Sequence, residues 1–459
     1  IRKKSIKSLG TKSLSDIGPY FRTISESLKF ELTGAQKKVI QEIHTDIKNN
    51  VPMNRLLQGD VGSGKTIVAI LVSALALGNN TQAAIMAPTE ILARQHFSSF
   101  KNEFDKVKIS CALLIGNMKK KERLSILNGL ALGKVGVLIG THALIQEDVM
   151  FKSLNLVIVD EQHRFGVNQR AELLKKGENP HFLAMTATPI PRTLSITYNG
   201  DMELSIIDEL PKDRIPVTTK VVSPERLNKV FNFIKDQIKK NYQCMVIYPL
   251  VEESEKSDLA AAVQAYENFR TKVFKKISIG LIHGKMKTEE KDLIMDSFSK
   301  NEISLLISTT VVEVGVDIPN ATVMLIEHAE RFGLTQLHQL RGRVGRGAEK
   351  SYCILVKRKI TSTSNKRLGI MEETNDGFLI SDEDLKLRGP GQFFGIKQSG
   401  FFKFKIADLV RDGSIITSAR KAAFDIVEND KNLKRESNKL IRNKFVNEYA
   451  QYLDGISFS

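Results

Sequence analysis

The chain contains, between residues 59 and 66, the stretch Gly59-Asp60-Val61-Gly62-Ser63-Gly64-Lys65-Thr66, which is a full match to the Walker A pattern. Its glycines allow backbone N–H groups to turn inward and surround phosphates. We expect Lys65 to reach the β- and γ-phosphates and Thr66 to hold Mg²⁺. The stretch follows the apolar pair Leu56-Leu57 and precedes Ile67–Leu77, whose pattern predicts a helix with a phosphate-favouring N-terminus.

Short apolar runs recur along the chain and alternate with helical patterns. Runs this uniformly apolar are typical of strands buried on both faces of a parallel sheet. The first set is Ala83–Pro88, Val135–Thr141, Leu156–Glu161 and His181–Thr188, and the second is Cys244–Pro249, Ile277–Gly284, Ile303–Thr310, Thr322–Ala329 and Tyr352–Val356. We therefore predict an α/β protein with two parallel-sheet domains in tandem, followed by a helical hairpin and a C-terminal helical tail.

The domain boundaries follow changes in composition. Residues 1–30 are basic and polar, start at Ile1 rather than Met, and are interpreted as a linker from a missing N-terminal region. The first domain is predicted at 31–207 and the second at 208–358, with Asp208–Pro216, which holds two prolines and five charges, as the linker between them. Residues 359–459 are predicted to form two short helices at 366–388, a glycine-rich segment and a charged helical tail.

Composition favours a polyanionic partner. The net charge of +16 favours nucleic acid, because each neutralised phosphate releases counterions, although a solvated basic surface is the alternative. No stretch reaches the roughly 20 apolar residues that a membrane helix needs. The three cysteines, Cys111, Cys244 and Cys353, are too far apart to suggest a metal site or a disulfide framework, which indicates buried thiols in a reducing cytoplasm.

The acidic half of the nucleotide site is predicted after the apolar run Leu156–Val159. Asp160 would bind Mg²⁺, and Glu161 would position and deprotonate the attacking water. A helix cap would also explain Asp160 alone. The cations that phosphoryl transfer needs are predicted far downstream, at Arg343 and Arg346, which lie three residues apart and so could share a helical face. A phosphate-backbone contact or a surface patch is the alternative for this pair.

The order of these motifs resembles superfamily 2 helicases, which are built on two RecA-like domains, and most closely the RecG family. The resemblance covers about residues 30 to 400. It is carried by the strings LQGDVGSGKT (57–66), DEQHRFG (160–166), MTATPIPRT (185–193) and AERFGLTQLHQLRGRVGRG (329–347). It implies that Gln36 reads the adenine base, while Thr33 as an ordinary helix cap is an alternative for that segment.

The resemblance also implies residues for nucleic-acid contact and coupling. Contacts to the nucleic-acid backbone and coupling to hydrolysis fall on Pro88, Thr89, Thr141, His142, Thr186, Thr188, Thr309 and Thr310, with Gly315 and Asp317 at the nucleotide. The key positions of the hairpin region are Arg367, Arg388 and Gln398, with helix-surface solvation as the alternative for the two arginines. Lys397 stands where the family often has arginine, which keeps the charge but loses a bidentate fork. The family's N-terminal wedge barrel is not visible in this sequence.

The expected function is that of an ATP- and Mg²⁺-dependent DNA helicase or double-stranded DNA translocase. It would regress stalled forks and migrate Holliday junctions as a monomer in the bacterial cytoplasm, near the nucleoid and in contact with single-strand-binding protein. One alternative is a transcription-repair coupling translocase, which usually has glutamate where this chain has Gln162, or an RNA helicase. Another is an ATPase-inactive scaffold, which would need a lesion at Lys65, Asp160, Glu161 or Arg346, and all four are intact.

Overall fold

The computed structural model describes residues 10–116, 118–188, 202–211, 214–249, 255–309, 318–347, 349–359, 361–388, 407, 411–430 and 433–449, with only the backbone at 255–261, 288, 428 and 449. The chain divides into two compact units. The larger comprises Ile1–Ile190 and Gly200–Leu387, and the smaller comprises Pro191–Asn199 and Arg388–Ser459. Both predicted sheets lie in the larger unit.

The first domain is a seven-stranded sheet in which every strand pair is parallel. Its strands are β1 (Asn54–Gly59), β2 (Gln82–Met86), β3 (Cys111–Leu114), β4 (Val137–Gly140), β5 (Leu154–Asp160), β6 (His181–Thr186) and β7 (Glu203–Ile207). Their order is β3-β4-β2-β5-β6-β1-β7. The accompanying helices are α1 (Gly18–Glu26), α2 (Gly34–Ile47), α3 (Lys65–Gly78), α4 (Glu90–Phe104), α5 (Lys120–Ala131) and α6 (Val167–Leu174).

The second domain is a six-stranded parallel sheet. Its strands are β8 (Thr218–Val222), β9 (Gln243–Ile247), β10 (Ile279–Ile282), β11 (Leu305–Ser308), β12 (Ala321–Ile326) and β13 (Tyr352–Val356), in the order β10-β11-β9-β12-β13-β8. The helices are α7 (Leu227–Lys239), α8 (Glu255–Asn268), α9 (Thr288–Ser299), α10 (Leu334–Arg341), α11 (Ser362–Glu373) and α12 (Gly377–Arg388), and α8 continues into a π-helical turn at Phe269–Val273.

The predicted fold class of two parallel-sheet α/β domains is confirmed, and each predicted apolar run contains a strand. The runs succeeded because central strands such as β2 and β5 are buried at every residue, between helices on both faces. The runs missed β1, which lies inside the first sheet, and β3, β7 and β8, which lie at sheet edges. Strands β1, β7 and β8 include polar or charged residues, so their sequences are not uniformly apolar, whereas β3 is apolar at all of its positions.

Helices α11 and α12 form the predicted hairpin and pack against the second sheet. Leu368, Met371 and Ile380 are buried in the same apolar cluster as strand residues of β12 and β13. The smaller unit contains α13 (Gly413–Asn429) and α14 (Lys439–Tyr449). Between these helices the Asp430 carboxylate accepts hydrogen bonds from the backbone N–H groups of Lys434 and Arg435, both at 2.8 Å. The glycine-rich segment after α12 lies outside the described residues.

The segment interpreted as an N-terminal linker is packed where it is described. Leu14 and Ile24 are fully buried in the core of the first domain. Helix α1 starts at Gly18, whose φ of +68° places the chain close to Gly78 at the end of α3. Within the described part of the chain, every helix is too short or too polar to span a membrane.

Candidate active site

The phosphate loop connects β1 to α3 and has the backbone geometry that its glycines predict. Gly62 and Gly64 have φ values of +77° and +85°, in the left-handed region that side chains disfavour. Lys65 is the first residue of α3, and its Nζ donates to the carbonyl oxygens of Gly59 at 2.8 Å and Asp60 at 2.9 Å. The ammonium group is therefore held inside the loop, where a bound phosphate would meet it.

Gln36 connects the start of α2 to the phosphate loop. Thr33 is the N-cap of α2, and Gln36 Oε1 accepts from the Thr33 backbone N–H at 2.9 Å in a capping box. The same amide donates through Nε2 to the Ser63 carbonyl at 2.8 Å. The capping alternative is thus correct for Thr33. Gln36 also supports the loop, and its contact with an adenine base stays a prediction.

Asp160 is the last residue of β5 and is held by a histidine that the sequence did not indicate. Its Oδ2 lies 2.8 Å from His96 Nε2 on α4, and its Oδ1 accepts from the Glu161 N–H at 3.0 Å. Burial raises the pKa of Asp160, but the His96 contact and the charge of Lys65 outweigh it, so the pKa lies below its ordinary value. A lone histidine within a helix has no sequence signal for this role.

Glu161 lies at the mouth of the same strand in an unusual backbone conformation. Its φ is +49°, and its carboxylate accepts from the Ala187 N–H and the Thr186 hydroxyl, both at 3.3 Å. Burial, and next the charge of Asp160, raise the pKa of Glu161. A carboxylate with a raised pKa is the better general base, so the geometry fits the predicted role.

Arg343 and Arg346 reach this cleft from the second domain, although not as predicted. The expectation that they share a helical face is wrong, because α10 ends at Arg341 and Gly345 turns the chain with a φ of +76°. Both arginines nevertheless line a cavity of about 480 Å³ together with Lys65, Asp160 and Glu161. The cavity thus combines carboxylates and a lysine from the first domain with two arginines from the second, which is the arrangement that phosphoryl transfer requires.

The residues in the cavity fit a nucleotide with a divalent cation. Ser63, inside the phosphate loop, is fully buried, and its hydroxyl has no partner among the described residues. Thr66 lines the cavity beside Asp160, whose low pKa keeps it charged as a hard oxygen ligand. Thr66 and Asp160 are accordingly the residues that would hold Mg²⁺.

Comparison with known proteins gives three consecutive matches. The DEAD/DEAH box helicase family matches residues 33–197, the helicase conserved C-terminal domain matches 225–348, and domain 3, C-terminal, of the ATP-dependent DNA helicase RecG matches 374–452. The chain is 48% identical over 438 residues to RecG of Synechocystis and 51% identical over 406 residues to RecG of Bacillus subtilis. These alignments cover 95% and 88% of this chain.

The chain belongs to the RecG family. It is similar, with a TM-score of 0.77 and 44% identity, to the structure of RecG bound to a three-way DNA junction, over 90% of this chain and 54% of that one. It spans between half and two thirds of the length of its curated RecG relatives, with 52% and 59% coverage of the two proteins above. The helicase MrfA, at 18% identity and a TM-score of 0.58, shares the fold.

The RecG hairpin is anchored to the second domain by Arg367 of α11. Its Nη1 donates to the Phe332 carbonyl at 3.1 Å and its Nη2 to the Glu330 carbonyl at 3.0 Å. The solvation alternative for Arg367 is therefore wrong, since the guanidinium bridges two backbone oxygens. Arg388 is the last residue of α12, and Gln398 lies outside the described residues.

The other residues that the RecG resemblance implied are only partly brought to the cavity. Pro88 lines it, Thr89 caps α4 with its Oγ1 3.4 Å from the Leu92 N–H, and Thr188 accepts from Gln339 of the second domain at 3.2 Å. Thr141 and Thr309 are buried with hydroxyls that have no partner among the described residues, and His142 is exposed. Thr310, Gly315 and Asp317 lie outside the described residues.

Sequence reasoning missed two further residues at the phosphate loop. Arg214, in the segment predicted as an interdomain linker, donates from its guanidinium to the Val61 carbonyl and lies against Gly62. His338 of α10 contacts Asp60, which stands 278 positions earlier in the chain. No local pattern can indicate a contact over such a separation.

Proposed function

We propose that this chain is the motor of an ATP-dependent DNA helicase that translocates on double-stranded DNA and remodels branched DNA, by regressing stalled forks and migrating Holliday junctions. One observation carries the proposal. Lys65 and Glu161 from the first domain share a cavity with Arg343 and Arg346 from the second. A site completed by both domains couples hydrolysis to their relative movement, which is what a motor needs.

In this proposal each residue of the cavity has one task. Lys65 and the loop N–H groups would bind the phosphates of ATP, Gln36 would contact the base, and Mg²⁺ held by Thr66 and Asp160 would neutralise the phosphate oxygens. Glu161 would orient and deprotonate the attacking water. Arg343 and Arg346 would stabilise the charge that develops on the transferred phosphoryl group.

DNA as the polymer rests on the chain's relatives and on its charge. The curated relatives are named ATP-dependent DNA helicases, and the similar solved structure holds a three-way DNA junction. The net charge of +16 fits a phosphate backbone. Lys65, Asp160 and Glu161 all line the cavity, which argues against the inactive scaffold. The match of residues 374–452 to RecG domain 3, C-terminal, argues against the transcription-repair translocase.

Different parts of the chain would do different work. Residues 31–207 and 208–358 would act as the two motor domains, and 359–459 would pass domain movement to DNA. The residues proposed to contact DNA are those near the strand ends together with Arg388 and Gln398. We propose a monomer that works near the nucleoid of a bacterial cytoplasm and contacts single-strand-binding protein.

The test is the ATPase rate of the chain with no DNA, with linear duplex and with a model fork. We expect both DNAs to stimulate hydrolysis, and Lys65→Ala to abolish it because the phosphates lose their cation. Persistent turnover in Lys65→Ala would refute the assigned phosphate site. Stimulation by RNA but by neither DNA would refute the proposed polymer.

A further inference from the structure

The side chain of Asp60, inside the phosphate loop, joins three parts of the molecule. Its Oδ1 accepts from the Val61 N–H of the loop at 2.6 Å and contacts His338 Nε2 of α10 at 2.5 Å. Its Oδ2 accepts from the backbone N–H of Gly377, the first residue of α12, at 3.2 Å. The nucleotide loop is therefore bonded directly both to the second domain and to the second helix of the hairpin.

The hydrogen bonds around His338 assign different roles to its two ring nitrogens. Arg341 Nη2 lies 2.9 Å from His338 Nδ1, and a guanidinium can only donate, so Nδ1 accepts. Nε2 is then the ring nitrogen that donates to Asp60, because a carboxylate can only accept. Arg341 also donates through Nη1 to the carbonyls of Met371 at 3.0 Å and Thr374 at 2.8 Å, at the end of α11.

The hydrogen bonds among Asp60, His338, Arg341 and the backbone of the hairpin form a closed ring of contacts, the Asp60 ring, which includes both hairpin helices. One arm runs from Asp60 directly to Gly377 at the start of α12. The other runs from Asp60 through His338 and Arg341 to the last turn of α11. His338 and Arg341 are 4% and 2% exposed, so water does not compete for these bonds.

The close approach of Gly377 to His338 and Asp60 requires glycine at this position. A Cβ atom at Gly377 would lie 2.6 Å from His338 Nε2 and 2.9 Å from Asp60 Oδ2, so only glycine permits this approach. The Gly377 N–H belongs to the first turn of α12, where helices leave donors unsatisfied and favour negative charge. Although burial raises the pKa of Asp60, the contact with His338 outweighs it and keeps the carboxyl group charged.

Nucleotide bound at the phosphate loop would alter the contacts of Asp60 through Lys65. Lys65 Nζ donates to the backbone oxygen of the same Asp60 whose side chain holds His338 and Gly377. Phosphate oxygens would compete for that ammonium group, because they are stronger acceptors than a peptide carbonyl. Loss of the Lys65 contact would free the peptide of residue 60 to move, and its carboxylate with it.

We propose that Asp60 transmits nucleotide occupancy from the phosphate loop to helix α12, with His338 and Gly377 as positioning residues. This inference rests on the proposed function. It adds a second connection to the hairpin, separate from the anchor that Arg367 makes. The hairpin would thereby respond to phosphate binding itself, and not only to the arrival of Arg343 and Arg346.

The test is hydrogen–deuterium exchange of peptides from 374–388 in the full chain, with and without the slowly hydrolysed analogue ATPγS and Mg²⁺. We expect nucleotide to change exchange in this segment by about tenfold or more, as for one charge-assisted hydrogen bond altered. Gly377→Ala and His338→Phe should abolish that nucleotide dependence while the Kd for a fluorescent ATP analogue stays within about twofold. His338→Gln, whose amide can both donate to Asp60 and accept from Arg341, should restore it.

The controls separate this inference from the proposed function. His328→Gln, outside the ring, should respond as the unmodified chain does, and thermal unfolding should show that Gly377→Ala and His338→Phe are folded. A hairpin response that persists at full size in both variants overturns the inference and leaves the ATPase proposal intact. Failure of the unmodified chain to bind ATPγS would overturn both. As a second readout, His338→Phe should retain basal hydrolysis but lose DNA stimulation, and His338→Gln should recover it.

Discussion

The two domains contain the same loop after a central strand, at residues 160–169 after β5 and 327–336 after β12. The second residue of each loop lies in the left-handed region, Glu161 at φ +49° and His328 at φ +48°. A 3₁₀ turn follows, then Arg-Phe-Gly, and a glutamine whose Oε1 accepts from the glycine N–H, at 3.1 Å in the first loop and 3.2 Å in the second.

The loops differ in what their side chains contact. In the first, Asp160 and Glu161 face the cavity that contains Lys65. In the second, Glu327 pairs with Arg358 at 3.0 Å, and the loop carbonyls hold Arg367 of the hairpin. The same backbone therefore presents carboxylates to the cavity in one domain, and in the other its carbonyl oxygens hold the hairpin.

The largest expected effect that tests this comparison comes from replacing the residue with positive φ in each loop by glutamine. Glu161→Gln should lower ATP hydrolysis by about 10²- to 10³-fold, because the general base is lost, with ATP binding retained. His328→Gln, the matched change, should alter turnover by less than about twofold, since His328 is not among the described residues that line the cavity. Steady-state hydrolysis and nucleotide titration measure both. Equal losses in the two variants would show that the loops act alike.

A second prediction concerns a titrating group at the start of β6. His181 is fully buried, its Nδ1 accepts from the Met53 N–H at 3.0 Å, and burial lowers its pKa to about 4. Its folded pKa lies below the unfolded value of 6.5, so the unfolded chain takes up the proton first and stability falls as pH drops from about 6.5 towards 4. The loss should reach about 2 kcal/mol at pH 5.

Urea unfolding of the first domain at pH 7.5 and pH 5 would measure this loss. His181→Asn retains an acceptor for Met53 but does not titrate, so its stability should change less between the two pH values. A second-domain transition that falls by as much would argue against His181 as the cause. So would an unchanged pH response in the variant.

Features set by contiguous residues could be predicted from the sequence, whereas contacts between residues far apart in the chain could not. Uniform burial made the central strands visible, and the phosphate loop is a contiguous motif, so Lys65 and Asp160 could be assigned to one site. Strands β1, β7 and β8 escaped because they include polar or charged residues, and the apolar edge strand β3 was missed as well. Arg343 and Arg346 were assigned correctly to the cavity but not to their backbone, because Gly345 ends any helical spacing.

Contacts between distant single residues were not predictable in the same way. His96, His338 and Arg214 each act through one hydrogen bond to a residue far away in the chain. Histidine and arginine occur at many surface positions, and nothing in the neighbouring letters marks these three. Their roles follow only once the sheets place α4, α10 and the 214–217 segment beside the phosphate loop.

The attachment role of the second loop can be tested at Arg367. Arg367→Ala should reduce DNA-stimulated hydrolysis and strand displacement about tenfold, because the hairpin loses two charge-assisted bonds to the loop. Basal hydrolysis should be nearly unchanged. Arg367→Lys should recover only part of the loss, since an ammonium group cannot span both carbonyls with a planar fork. Full activity of Arg367→Ala would mean that the Asp60 ring alone positions the hairpin.

The smallest predicted effect concerns a feature that both loops share, which is the glutamine that caps the following helix. Gln169→Ala and Gln336→Ala should both destabilise, because each leaves a helix-terminal N–H without its partner. The two costs should differ. Gly333 and Leu334 are buried, whereas Gly166 and Val167 are exposed, so water can replace the glutamine only in the first loop. We expect about 1 kcal/mol for Gln336→Ala and roughly half of that for Gln169→Ala.

Urea midpoints measure both, with the exposed neighbour Asn168→Ala as the control. A larger cost in the first loop would mean that the strained Glu161 backbone, rather than burial of the cap, limits the stability of the loop.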